Sequence, residues 1–451
     1  MPKTISRKAI QFMAGILLCL LPAGVAWADG AVYAMTNALG ANAVMVYHRA
    51  ANGNLSLVQI IATGGGGSGL QLAGVDSLGS AGSVQLDRGH HLLFVVNTES
   101  AAANNGQGSY NQDCSTGTIT SFLVGTNGTL TFAARVPSGG MFPNSLTVKA
   151  ASTQNGTAGG DLLYVLNAGG PGSCNVGPNI TGFQVSKSGT MTPISSSPVN
   201  PGLPSGSGED CSAASAAGYQ ALTGAPAADF ACGLNPPSFP RSPAQIRFTP
   251  AGSQLVVTVK GTNSIYVFPI DDDGRVGYPT VTQAPGPAIP TYFGFAFDAG
   301  GHLVVTELFG SATSIPAGGV GAVSSFSVGK DGSLLGISTH VEDGGTAASF
   351  IALEPIDGTF AYVGNNLSAS ISSYSVATDG TVTLVNGSAA AASGPNDLAT
   401  ASEGGLSFLY VVEAGSGTVG AYQINLADGS LTALTAGTGL PTPAAQGLAA
   451  Y

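Results

Sequence analysis

Charge is scarce in this sequence. Asp, Glu, Lys and Arg together make up 8% of its 451 residues, with 24 acids against 13 bases. The bases are scattered. Nucleic-acid binding needs clustered cations to displace counterions from phosphates, so no nucleic-acid partner is expected. An anionic membrane surface is excluded on the same ground. Histidine occurs five times and fits no metal-ligand spacing, so neither a three-His zinc site nor another metal or cofactor is expected. Low charge can accompany disorder, but 44% apolar residues argue for a packed core.

Long apolar runs are also missing, with one exception. Phe12 to Ala26 is apolar, follows Lys3, Arg7 and Lys8, and ends in the small-x-small sequence Ala26-Trp27-Ala28. That pattern reads as a secretory signal peptide over 1–28, cleaved after Ala28, and predicts a secreted or periplasmic protein. The run is too short for a good membrane span, and no later segment could cross a membrane. Cys19 lies in the leader, leaving Cys114, Cys174, Cys211 and Cys232. An even number in an exported chain predicts disulfides, and three pairings are possible.

One unit recurs through residues 29–451. Its clearest part is an alternating strand, an Asx-Gly or Ser-Gly turn, and a short strand. Val44-Met45-Val46-Tyr47 leads to Asn52-Gly53, Ile119 to Val124 to Asn127-Gly128, and Ile180 to Val185 to Ser188-Gly189. Ile265 to Ile270 precedes Asp273-Gly274, Val323 to Val328 precedes Asp331-Gly332, Ile371 to Val376 precedes Asp379-Gly380, and Val419 to Ile424 precedes Asp428-Gly429. Each is a hairpin signal.

A near-continuous apolar strand precedes each copy, as in Leu163-Tyr164-Val165-Leu166-Asn167 and Leu409-Tyr410-Val411-Val412-Glu413. Such runs suit strands buried on both faces. A further strand precedes six of these, and the first copy lacks it. Gln446 to Tyr451 has the missing pattern and is expected to return as the innermost strand of the first sheet. The fold expected is all-β: one domain, a seven-bladed β-propeller with four-stranded blades, closed by its C-terminal strand.

Counting strands outward from the channel, the Asx-Gly turns share one face. The long insertions, among them Ala62 to Gly82, Thr98 to Gly117, Ser195 to Pro243 and Leu308 to Gly321, share the other. Connections this long point to function. Cys114 and Cys174 occupy equivalent loops of neighbouring blades, and Cys211 and Cys232 both lie in the insertion 195–243, so these two pairings are preferred.

The Tyr-Val-x-Asn strand with Ile-x-x-Tyr-x-Val and Asp-Gly-x-Leu resembles the propeller of the 6-phosphogluconolactonase-like lactonase family. The resemblance implies hydrolysis of a lactone. The family's His near an early inner strand and its Gly-Pro-Arg-His run correspond here to Gly82-Ser83-Val84 and Arg241-Ser242-Pro243-Ala244-Gln245, without histidine. With few cations available, an unphosphorylated lactone or small ester is the expected substrate.

Such chemistry needs a base and an oxyanion partner near the channel. The candidate catalytic residues are Glu307, Glu413 and Asp397 as base, with Arg241 polarising the carbonyl. The candidate binding residues are Asn97, Glu99, Asn144, Asn167, Gln245 and Asn396. Equally, Asn and Asp at these points can satisfy strand ends and turns. The competing reading is a non-catalytic propeller that recognises a glycan or a protein through the insertion-rich face.

Overall fold

The computed structural model describes residues 30–69, 76, 78–99, 101–102, 108–109, 116–149, 161–169, 176–195, 197, 199, 243–260, 264–283, 292–308 and 320–451. The leader 1–28, all four later cysteines, Arg241 and most of the insertion 195–243 lie outside these residues.

Seven antiparallel sheets stand in a ring. In the first blade the strands run outward as Leu448–Ala450, Ala31–Met35, Ala43–Arg49 and Leu55–Ala62. The inner strands of blades two to seven are Val84–Asp87, Pro143–Lys149, Pro243–Phe248, Tyr292–Phe297, Ala348–Leu353 and Pro395–Glu403. Each touches the inner strand of the next blade, and the last touches Leu448–Ala450. The ring is closed as expected, with Val32 opposite Ala450, Tyr33 opposite Ala449 and Ala34 opposite Leu448. Pairing this edge removes a row of open backbone donors and acceptors.

The second strands are buried on both faces, as their apolar runs demand. Leu92–Asn97 and Phe360–Asn365 are buried at every position. Apolar clusters fill the spaces between blades and form the core.

The hairpin turns do more than reverse the chain. The turn glycine carbonyl of one blade accepts a hydroxyl from the blade before it. Tyr33 reaches Gly128 at 2.8 Å, Ser121 reaches Gly189 at 2.7 Å, Ser325 reaches Gly380 at 2.7 Å, and Tyr362 reaches Gly429 at 3.0 Å. Tyr164 donates likewise to Gly274, and Tyr410 donates to Gly53 at 3.1 Å across the closing seam. Between blades four and five, Gln254 takes this role by donating to the carbonyls of Gly329 and Lys330 at 3.1 Å. Gly53 sits at φ +84°, and a Cβ there would collide with the Phe408 ring. Turn geometry and blade packing therefore ask for glycine together.

Five inner strands carry a register shift at their start, on the face that bears the long insertions. The shifts lie at Pro143/Ser145, Pro243/Gln245, Tyr292/Phe295, Ala348/Phe350 and Pro395/Leu398. Bulges of this kind re-aim side chains, and here they do so at the channel.

Candidate functional site

Asp397 occupies the bulge of the seventh blade. Pro395 pairs with Glu413 and Leu398 with Val411, so Asn396 and Asp397 together oppose Val412. The carboxylate accepts its neighbour Leu398 N at 2.9 Å and Leu448 N of the closing strand at 3.2 Å. Burial pushes its pKa up to about 7, against those backbone donors, and the negative Asp76 adds to the rise.

Asp76 belongs to the connection from the first blade to the second. Its Oδ1 accepts Leu78 N at 3.2 Å and Gly79 N at 2.8 Å, folding the segment into a tight turn. Its Oδ2 is buried with no hydrogen-bond partner among the described residues. Leu78 to Ser83 then crosses the channel. Leu78 N donates to Gln446 Oε1 at 2.8 Å, Gln446 Nε2 donates to Ser80 O at 2.5 Å, Ser80 Oγ donates to Asn144 O at 2.7 Å, and Ala81 N donates to Ala244 O at 3.1 Å. One short segment thus touches blades one, three and four.

Lys260 directly follows the second strand of the fourth blade, Gln254–Val259, one residue beyond Val259, which holds the place that Asn167, Glu307, Asn365 and Glu413 hold in other blades. It is fully buried. Its ammonium donates to Gly79 O and stands 5.2 Å from the centre of the Phe293 ring, a cation–π distance. Burial lowers the Lys260 pKa and Asp76 opposes that fall. Burial raises the Asp76 carboxyl and Lys260 opposes that rise. The two charges hold each other in a place that would otherwise neutralise them.

Arg247, on the inner strand of the fourth blade, is reached by solvent. Burial by the surrounding protein lowers its pKa, while Asp397 raises it. Blades four and seven lie across the ring from each other, so this interaction spans the channel. A solvent-reached yet enclosed guanidinium is what a side chain standing in that channel would be. Asp76, Lys260, Asp397 and Arg247 together place two acids and two bases around one polar space. Buried Asn144 Oδ1 and Ser83 Oγ also lack partners among the described residues, and such atoms suit water or a polar ligand.

The remaining sequence candidates are distributed differently. Gln245 clasps the fifth blade, with Nε2 donating to Phe295 O at 3.1 Å and Oε1 accepting Phe295 N at 2.7 Å. Asn144 donates to Pro243 O at 3.0 Å, and Asn396 accepts from Asn366 at 2.5 Å. Asn97 lies between the first two blades, bonded to Asn42, Thr63, Thr118 and Thr120. Asn167 donates to Ser138 O at 3.1 Å and Asn179 Oδ1 at 2.9 Å. Glu99 accepts Gly66 N at 3.0 Å and Thr118 Oγ1 at 2.7 Å and pairs with Arg135 at 3.2 Å.

Glu307 is fully buried beneath His340, 2.5 Å from its Nδ1, and takes Ser324 Oγ at 2.5 Å. Glu413 accepts Tyr422 Oη at 3.1 Å, Thr418 Oγ1 at 3.1 Å and Ser416 Oγ at 3.2 Å. Of the sequence-proposed bases, Asp397 is the one that meets the channel cations. Asp76 and Arg247 escaped sequence reasoning. Asp76 sits in a Gly- and Ser-rich insertion without a pattern, and Arg247 sits inside a strand.

One cluster among the described residues has metal-ligand geometry: Asp87, His90 and Asp161. His90 Nδ1 lies 3.1 Å from Asp87 and 2.7 Å from Asp161. The cluster is in the seam of blades two and three at the turn-bearing face, and an imidazole bridging two carboxylates accounts for it.

Residues 304–445 match the model of the family described as Lactonase, 7-bladed beta-propeller. The chain is a seven-bladed β-propeller, and this stretch of it is similar to that family. Two solved structures match the fold of the ring as a whole. The periplasmic gluconolactonase PpgL of Pseudomonas aeruginosa is 17% identical, with 92% of this chain and 97% of that one aligned and a TM-score of 0.61. A 6-phosphogluconolactonase candidate from Bacteroides fragilis is also 17% identical, over 94% and 98% of the two chains, with a TM-score of 0.58. At this identity the likeness is one of fold. No curated protein matches the sequence of this propeller.

Proposed function

We propose that this propeller is an exported hydrolase that opens an unphosphorylated lactone, or a small ester, in the channel beside Asp397. The observation that carries the reading is a carboxyl with a pKa of about 7 facing a solvent-reached guanidinium across the ring. A base poised near the working pH is the most effective general base.

Asp397 takes a proton from water as the water oxygen adds to the lactone carbonyl. Arg247 stabilises the oxyanion. Collapse breaks the ring C–O bond, and the proton held by Asp397 passes to the departing alkoxide, leaving a hydroxy acid. The Lys260–Asp76 pair keeps Leu78 to Ser83 in place over the site. Lys260 is already engaged by Asp76 and Gly79, which leaves Arg247 as the free channel cation among the described residues and disfavours a phosphorylated substrate. Export rests on the leader 1–28, and the cysteines are proposed as Cys114–Cys174 and Cys211–Cys232 disulfides suited to that compartment.

The test is a pH-stat assay on δ- and γ-lactones of unphosphorylated sugar acids. Asp397→Asn is expected to lower kcat by roughly 10²- to 10⁴-fold, and Arg247→Met by roughly 10²- to 10³-fold. In the unaltered protein kcat/KM should rise through a pH of about 7. Folded variants with undiminished rates would dismiss the assignment. They would favour the second reading, a propeller binding a glycan or protein through its insertion-rich face. That reading has one observation behind it: Leu78 to Ser83 spans the channel on the same face.

A further inference from the structure

The face that bears the hairpin turns has a cavity of its own. It measures about 390 Å³ and lies where blades seven, one and two meet, within the size range of small-molecule sites. Leu86, Val124 and Tyr451 give it apolar walls, and Arg49, Arg88 and Glu403 give it charge. Glu403 ends the inner strand Pro395–Glu403 and Asp397 lies near its start, so roughly 20 Å of extended chain separates this cavity from the channel site.

Arg49 is the unusual member. It is 1% exposed. Its Nε donates to Tyr451 O at 2.8 Å, and its Nη2 pairs with Glu403 at 3.2 Å. Its Nη1 is buried and has no acceptor among the described residues. An orphaned guanidinium nitrogen is costly in a folded protein. Arg88 stands at the rim and donates to Ala450 O at 2.8 Å. Burial, and then the nearby Arg49, lower its pKa. Two guanidiniums therefore line one cavity beside Glu403 and the Tyr451 oxygen, and Arg49 Nη1 is left without an acceptor among the described residues. Gly30 keeps this arrangement possible. It adopts φ +133°, and a Cβ there would collide with Arg49 Nη2 and Tyr451 O.

We propose that this cavity binds a small monocarboxylate with an apolar body, its carboxylate held between Arg88 and Arg49 and its body against Leu86, Val124 and Tyr451. A carboxylate matches the guanidinium fork and supplies the acceptor that Arg49 Nη1 lacks among the described residues. The inference does not depend on hydrolysis in the channel.

Calorimetric titration of the exported protein with benzoate, benzamide and inorganic phosphate tests it. Benzoate should bind saturably. Benzamide, of the same shape without the charge, and phosphate, without the apolar body, should each bind at least about tenfold more weakly. Arg88→Met should weaken benzoate by roughly tenfold or more with an unchanged melting curve, whereas Asp397→Asn should leave benzoate binding intact. No saturable benzoate heat, or phosphate binding as tightly as benzoate, would overturn the proposal. So would loss of the heat in Asp397→Asn, because the ligand would then be in the channel. Arg49 itself joins the first and last blades, so Arg88→Met is the cleaner variant.

Discussion

The hydroxyl of Tyr410, in the last blade, donates to the carbonyl of Gly53, in the hairpin turn of the first, at 3.1 Å. Tyr410 is fully buried, so removing the donor leaves a carbonyl without its partner inside the closing seam. Tyr410→Phe keeps the ring and deletes only the hydroxyl. It should cost about 1 kcal/mol, read as a lower urea midpoint at unchanged slope. An unmoved midpoint would mean that this hydrogen bond adds nothing to the stability of the seam.

Much of this architecture is legible in the sequence because its causes are local and repeated. A turn needing positive φ, an alternating strand and a strand buried on both faces recur together, and the closing segment repeats a pattern the first blade lacks. The site is less legible. Asp397 was visible as an acid at a strand start, but the bulge that turns it to the channel depends on how Pro395 to Leu398 pairs with the next strand. Lys260 is marked by its charge just past the strand end, one residue beyond the place where Asn97, Asn167 and Asn365 serve the seams between blades and the fourth blade has Val259. Asp76 has no marker, because its partners come from the fourth and seventh blades and from the closing segment.

The pair of Glu307 and His340 predicts a pH effect on folding. The hydrogen bond from Glu307 raises the His340 pKa above 6.5, although burial opposes it. The imidazolium's contribution is therefore fully present below the unfolded value of 6.5 and is lost as pH rises through the folded value. His340→Gln should remove this dependence. It should also cost on the order of 2 kcal/mol at pH 6, less than breaking a fully buried pair because the imidazole is partly solvated. Urea denaturation at pH 6 and pH 9 decides this, and equal losses at both would refute it. Glu307→Gln should likewise lower stability while leaving lactone turnover unchanged.

Asp397 has the opposite sign. Its carboxyl is raised from 3.8 to about 7 in the folded chain. The unfolded chain releases that proton first, so the native state is penalised progressively from pH 4 to pH 7 and fully above. Each pH unit between the two values is worth roughly 1.4 kcal/mol. Asp397→Asn should therefore be more stable than the unaltered protein at pH 8, and the two should converge near pH 4. A variant that trades activity for stability in this way is expected of a strained site. A stability difference independent of pH would show that Asp397 ionises at its ordinary value.

The closing strand makes the strongest demand on the fold. Leu448 is 5% exposed and packs in the cluster that joins the first and last blades. Its backbone nitrogen is held by Asp397, and the strand pairs with Ala31–Met35, buried at all five positions. Deleting residues 447–451 would open that edge along the channel and remove a wall of the candidate site at once. Such a chain should be recovered as aggregate, since an unpaired buried edge is a template for association. Leu448→Asp gives a milder version: a buried unpaired carboxylate costing roughly 3 kcal/mol or more, seen as a depressed melting temperature in soluble protein. Monomeric, fully stable truncated protein on gel filtration would show that the ring does not need its last strand, and the physical account of closure would have to be given up.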